Sequence, residues 1–264
     1  MSRELYLTAL GSGSSGNAFA IHCGSDVILI DAGFSCKELK KRLTSSGIAP
    51  ENVRAVLLTH EHNDHLCGCR VFCDTFEIPV YMAGQVADRL ARQEKSLPAR
   101  VFEFEPGGLF SAAGFEIAPF PVQHDTVDPV GFVVSRGNAR IGVATDLGKV
   151  NALARARLKN CDALVLESNY DLTMLMNSSR RLQLKRRING EFGHLDNRAA
   201  AAALEELIGE RTRAVILVHV SSECNTYDLV KNTGMEVLQK LRRHDILLEV
   251  ARQHEPLSPV SLIC

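Results

Sequence analysis

The string L-T-H-E-H-N-D-H, set directly after the apolar run RAVLL, constrains this chain more than any other feature, because it puts His60, His62, Asp64 and His65 within six residues. In an extended stretch alternate side chains share a side, so His60 and His62 can reach one ion. Asp64 and His65 lie just past the point where the chain must turn, and can reach a second. Imidazole and carboxylate donors suit zinc, manganese or iron better than calcium or magnesium. A solvated polar loop is the bland alternative, but ligands this dense at the end of a buried strand favour metal.

Two ions need further ligands, and these are expected where other strands end on the same sheet edge. His124 ends FEIAPFPVQH, Asp146 ends RIGVATD and His219 ends AVILVH, each the first strong ligand after an apolar run. The expected assignment is His60, His62 and His124 to one ion and Asp64, His65 and His219 to the other, with Asp146 bridging. Asp31, at the end of VILID, is expected to orient the ligand loop through hydrogen bonds without touching metal. Taken singly, a strand-end Asp or His is more often a turn former; the joint order carries the reading. His22, His244 and His254 lack such a setting and read as ordinary histidines.

Runs rich in Val and Ile (VILI, AVLL, IGVA, ALVL, AVILV) alternate with amphipathic stretches, which is an α/β pattern. Two strands should flank GSGSSGN, and a helix should cover Lys37 to Ser46. The stretch from Val101 to Asp146 reads as successive strands broken by Gly and Pro, and NRAAAAALEELI as a helix capped by Asp196 or Asn197. No linker, low-complexity tract or repeat divides the chain, so residues 1–264 read as a single domain.

A net charge of −1 gives no global pull towards polyanions, so any nucleic-acid contact must come from a local basic face. The eight cysteines do not form a disulfide framework, and Cys67, Cys69 and Cys73 make no C-x-x-C pair; they read as packing residues in a reducing, cytoplasmic setting. The first residues carry no basic-then-apolar leader, and no stretch approaches the ~20 apolar residues of a membrane span.

The order LIDAG, H-x-H-x-D-H, then His124, Asp146 and His219 resembles the metallo-β-lactamase-fold hydrolases over nearly the whole chain. LGSGSSGNA, LTHEHNDH, QHDTVDPVGF, ESNYD, GHLDN and LVHVSSECN resemble in particular the YycJ/WalJ family. That resemblance implies an αββα sandwich, two central mixed sheets flanked by helices, and DNA exonuclease activity running from the 5′ end. Redox members of the wider fold usually carry glutamate in place of the second histidine, whereas this chain keeps His62, which favours hydrolysis.

A hydroxide shared by two cations about 3.5–4 Å apart is a nucleophile at neutral pH, and the same cations neutralise charge on an attacked phosphoryl group. Asp64 counts among the catalytic residues as well as the ligands. His194, in GHLDN, is the expected general acid for the leaving oxygen. Resemblance to tRNA-processing hydrolases such as RNase Z implies that Glu167 is its orienting carboxylate. GSGSSGN is expected to present backbone N–H groups to a phosphate, with Ser14, Ser15 and Asn17 adding polar contacts. Arg180, Arg181, Lys185, Arg186 and Arg187 form a basic run that either flanks the cleft and meets DNA or is a solvated helix face.

Only about twenty residues separate His124 from Asp146, too few for the tRNA-grasping arm of RNase Z, and no insertion elsewhere makes room for the extra domain of RNase J-like nucleases. The expected function is 5′→3′ hydrolysis of DNA, its 5′-phosphorylated end the partner. The alternatives are a phosphodiesterase for cyclic nucleotides or cyclic sugar phosphates, a lactone or thioester hydrolase, and a metal-binding regulatory module without turnover.

Overall fold

The computed structural model describes residues 4–93 and 95–262; Cys264 and the first three residues, on which part of the reading above rests, lie outside the described residues. The first half of the chain runs β1 (Leu5–Gly11), β2 (Ala18–Cys23), β3 (Asp26–Ile30), α1 (Cys36–Ser45), β4 (Val53–Leu57), α2 (Asn63–Leu66), α3 (Cys69–Phe76), β5 (Val80–Ala83), α4 (Gly84–Arg92) and β6 (Val101–Phe104). There follow β7 (Phe110–Ala112), β8 (Phe115–Pro121), β9 (Val130–Arg136), β10 (Ala139–Ala144), α5 (Ala152–Leu158), β11 (Ala163–Glu167), α6 (Leu172–Asn177) and α7 (Leu182–Ile188). The chain continues through α8 (Asn197–Leu207), β12 (Ala214–Val218), α9 (Tyr227–Leu241), β13 (Leu247–Val250) and β14 (Val260–Leu262).

The strands form two seven-stranded mixed sheets, ordered β14-β1-β2-β3-β4-β5-β6 and β13-β12-β11-β10-β9-β8-β7. One apolar cluster joins the inner faces, with Leu7, Phe19, Ile21 and Ile28 of the first sheet meeting Phe115, Phe132, Ile141 and Ile216 of the second. The same cluster takes in Leu39, Phe72 and Leu90 from α1, α3 and α4 on the first sheet's outer face. A second cluster packs Leu158, Leu204 and Val237 of α5, α8 and α9 on the other sheet. Helices outside and sheets within give the αββα sandwich.

The five Val- and Ile-rich runs are all strands. AVILV forms β12 and is buried at every position, as a parallel strand covered on both faces must be. β3 to β6 run parallel in one sheet and β10 to β13 in the other, so their carboxyl ends gather along one edge of the sandwich, the usual place for a ligand site in α/β sheets. Asp196 caps α8 by accepting from Ala199 N at 2.6 Å. No described helix is long and apolar enough to cross a membrane.

Candidate active site

The site is assembled from strand ends. β4 leads into Thr59 and His60, α2 carries Asp64 and His65, β8 leads to His124, β10 to Asp146, β11 ends at Glu167, and β12 leads to His219. Asp31, Asp146 and His219 each follow a strand with φ of +62°, +52° and +56°. A left-handed non-glycine residue costs on the order of 1–3 kcal/mol, and such strain gathers at functional sites. The backbones also approach closely: a Cβ on Gly33 would lie 1.7 Å from Asp64 O, so the glycine of LIDAG lets the ligand loop seat against β3's end.

The side chains meet in three overlapping groups, one of them Asp146, Glu167, His194 and His219. His60, His62 and His124 bring one nitrogen each within 4.8 Å of one another, as do the ligand atoms of His60, His65 and Asp146. His62 Nδ1 and His124 Nε2 are 3.3 Å apart. Asp64 Oδ2 stands 3.6 Å from His65 Nε2 and 3.7 Å from His219 Nε2. Asp146 lies between the groups, with Oδ2 2.9 Å from His65 Nε2 and Oδ1 3.9 Å from His124 Nε2.

One of these atoms, His60 Nε2, is buried without a hydrogen-bond partner. Orphaned buried polar atoms are rare and costly, and a cation would satisfy it. Burial, reinforced by neighbouring His65, holds the His60 imidazole well below its usual range, so it is neutral and its lone pair is available. Burial also pushes His65 and His219 down, but the carboxylates outweigh it. Asp146 and Asp31 raise His65 well above the usual value, and Asp146 and Glu167 raise His219 to about 10. Positive charge is thus drawn to the place where a divalent cation would supply it. The residues fit a metal.

The candidate ligands are held from behind. Asp31 accepts from Thr59 N at 2.8 Å and from Thr59 Oγ1 at 2.9 Å, and its Oδ2 lies 2.7 Å from His65 Nδ1, turning Nε2 inward. His124 Nδ1 donates to Gly193 O at 3.0 Å with the same effect. Glu167 Oε1 lies 2.8 Å from Nδ1 of both His194 and His219, while Oε2 accepts from Leu147 N and Leu195 N.

Residues 27–220 match the family model described as a Beta-lactamase superfamily domain. The chain belongs to the beta-lactamase superfamily. Within this superfamily it is 29% identical over 89% of its length to exodeoxyribonuclease YycJ of Bacillus anthracis, 90% of which is covered. It is 32% identical over 87% of its length to exodeoxyribonuclease WalJ of Streptococcus pneumoniae, 86% of which is covered. Among solved structures, the metallo-beta-lactamase fold protein YhfI of Bacillus subtilis superposes with a TM-score of 0.73 at 16% identity, covering 97% of this chain and 99% of that one. Superfamily, fold and relatives together make the chain a metal-dependent hydrolase.

The ligand cluster of this superfamily member opens into a cleft of about 240 Å³, lined also by Ser14, Asp125, Asn169, Arg180, Leu184, Arg187, His194 and Ser221. The hairpin residues expected at a phosphate divide. Ser14 lines the cleft, whereas Ser15 is exposed beside it with its N–H given to Gln253 Oε1 at 2.8 Å. Asn17 departs from the expectation. It is fully buried, accepts from Ser12 Oγ and Gly13 N, and directs its amide towards Asp64 Oδ2 and His65 Nε2, so it braces the ligand loop. In the basic run, Arg180 and Arg187 reach the cleft, and Arg181, Lys185 and Arg186 do not line it.

Sequence reasoning missed several participants. Asp125 sets one oxygen 3.5 Å from His124 Nε2 and receives Arg187 Nε on the other. Asn169 donates to His219 O at 2.6 Å. Glu61, facing away from His60 and His62, pairs with Arg89 at 3.0 Å and so ties α4 to the ligand loop. Strand alternation would have sent Glu61 outward; nothing in the string foretold Asp125's partner.

Proposed function

We propose that this chain is a binuclear metal-dependent phosphodiesterase that shortens DNA from its 5′ end, acting as a single cytoplasmic domain. The observation that carries the two-metal reading is Asp146, whose carboxylate is within reach of both groups of ligands. The curated relatives that match most of the chain are named exodeoxyribonucleases, and the arginines at the cleft suit a phosphate chain.

His60, His62 and His124 would hold one cation, Asp64, His65 and His219 the other, with Asp146 between them. Bound zinc or manganese, with iron as a third choice, supplies Lewis acidity that activates water at neutral pH and neutralises developing phosphoryl charge. His194 delivers a proton to the departing 3′ oxygen. Its Nδ1 is fixed on Glu167 Oε1, which leaves Nε2 for the transfer. Burial pushes this imidazole down, but Glu167 and Asp146 outweigh that and raise it, so it is charged when a proton is needed. Ser14, on the cleft wall, would meet the terminal 5′-phosphate.

A cleft of about 240 Å³ is nearer one nucleotide than a helix, which keeps a cyclic-nucleotide phosphodiesterase as the second reading. Digestion of 5′- and 3′-end-labelled DNA by the metal-loaded protein separates them. Early release of 5′-labelled mononucleotide supports the proposal; intact DNA alongside hydrolysis of a cyclic nucleotide overturns it.

A further inference from the structure

A surface helix normally keeps its place by burying an apolar stripe. α7 buries only Ile188. Leu182 is 61% exposed and Leu184 38% exposed. Spacings of three and four residues divide the helix into two faces. Leu184, Arg187 and Ile188 line the cleft, while Leu182, Lys185 and Arg186 share the outward side.

The cations are available as well as close together. Arg187 is engaged by Asp125, but Arg181 and Arg186 have no ion pair among the described residues, and Lys185 Nζ meets only the carbonyl of Met176. On a chain of net charge −1, this is a local positive surface with apolar side chains set between the charges.

We propose that α7 is a landing surface for an unpaired DNA strand, with Leu182 against a base face and Arg181, Lys185 and Arg186 on the phosphates, the strand passing Leu184 where the helix meets the cleft. The inference rests on the phosphodiesterase reading and adds the form of the substrate. A double helix would use the cations alone, because its bases are stacked inside and offer Leu182 nothing to cover. An unpaired strand presents flat apolar bases and phosphates alternately, and proteins hold such strands by combining the two contacts. The helix also adjoins a cleft of nucleotide size, so a strand lying on α7 leads directly to the ligand cluster.

The test uses metal-loaded protein and hydrolysis-resistant phosphorothioate oligonucleotides, read by fluorescence anisotropy. The probes are a blunt duplex, the same duplex with an unpaired 5′ extension, and a ribonucleotide version of the extension. The extended duplex should bind about tenfold tighter than the blunt one, and Leu182→Ser should remove most of that advantage without weakening blunt-duplex binding. Leu182→Phe should keep it. Arg181→Gln with Arg186→Gln should weaken both and make binding less dependent on salt, by about one to two counterions.

Equal affinity for blunt and extended probes, an unaffected leucine variant, or tighter binding of the ribonucleotide probe would each overturn the inference. So would a leucine variant that changes only self-association in sedimentation, which would mark α7 as a contact between copies. Leu182 is exposed, and a melting curve checks that the variants fold. If the wild-type protein cleaves neither DNA nor an aryl phosphodiester, the underlying reading fails; if it cleaves them and Leu182→Ser has no effect on binding, only this inference does.

Discussion

Glu167 Oε1 holds two imidazoles at once, lying 2.8 Å from Nδ1 of His194 and 2.8 Å from Nδ1 of His219. One buried carboxylate therefore orients both the proposed proton donor and a proposed metal ligand. Glu167→Gln keeps the shape but removes the charge that favours the His194 imidazolium and, through Nδ1, orients His219 and raises the basicity of its Nε2. Metal affinity should fall about 10- to 100-fold, in the range seen when a group behind a ligand is lost, and turnover should stay low even at saturating metal. If metal titration restored full turnover, the link between Glu167 and His194 would have no part in catalysis.

His194→Ala removes a proton donor while leaving every proposed ligand in place. A positioned general acid contributes about 10²–10⁴-fold, and the need for it depends on the leaving group. DNA cleavage, which expels an alkoxide, should lose that factor. Hydrolysis of a nitrophenyl phosphodiester, whose leaving group departs without a proton, should lose far less. Equal losses on the two substrates would assign His194 a role in binding or structure.

The difference between what the sequence reveals and what it conceals follows from range. His60, His62, Asp64 and His65 are legible because they are local, and His124, Asp146 and His219 because each follows a run that can only be a buried strand. Asp31 is legible for the same reason, and the structure sets it against His65 and Thr59. Asn17 was misread because a Gly- and Ser-rich turn looks like a phosphate loop, and only the fold shows its amide spent on Asp64 and His65. Asp125 with Arg187, and Glu61 with Arg89, join residues far apart in the chain. Neither pair leaves a local pattern. α4 was within reach, since QVADRLAR places Val86, Ala87 and Leu90 on one buried side.

Asp31 and His65 form a pair with no solvent exposure on either side chain, 2.7 Å apart. Asp31→Asn would keep a hydrogen bond but favour the wrong imidazole tautomer at Nδ1 in some orientations and withdraw a charge that raises the basicity of Nε2. The expected result is about 10- to 100-fold weaker binding of one cation of the pair, with the other little changed. Isothermal titration of the metal-free protein should show two classes of site where the wild type binds more evenly. Unchanged titration curves would reduce Asp31 to a purely structural residue.

His22 offers a pH test away from the metal centre. It sits opposite Tyr6 in the β1–β2 hairpin, with the rings stacked at 4.9 Å and its Nε2 buried without a partner. Burial lowers its pKa below the ordinary value of about 6.5. The unfolded chain therefore takes up a proton that the folded state resists. The stability His22 contributes is complete above about pH 6.5 and is lost as pH falls through the lowered folded-state value. His22→Phe retains a ring against Tyr6 and has nothing to protonate. Between about pH 7.5 and pH 5.5, the urea midpoint should fall further for wild type than for this variant, while titrations elsewhere contribute equally to both and cancel in the difference. Parallel curves would show that the His22 ring accepts its proton in the folded state, with a rotamer that reaches solvent.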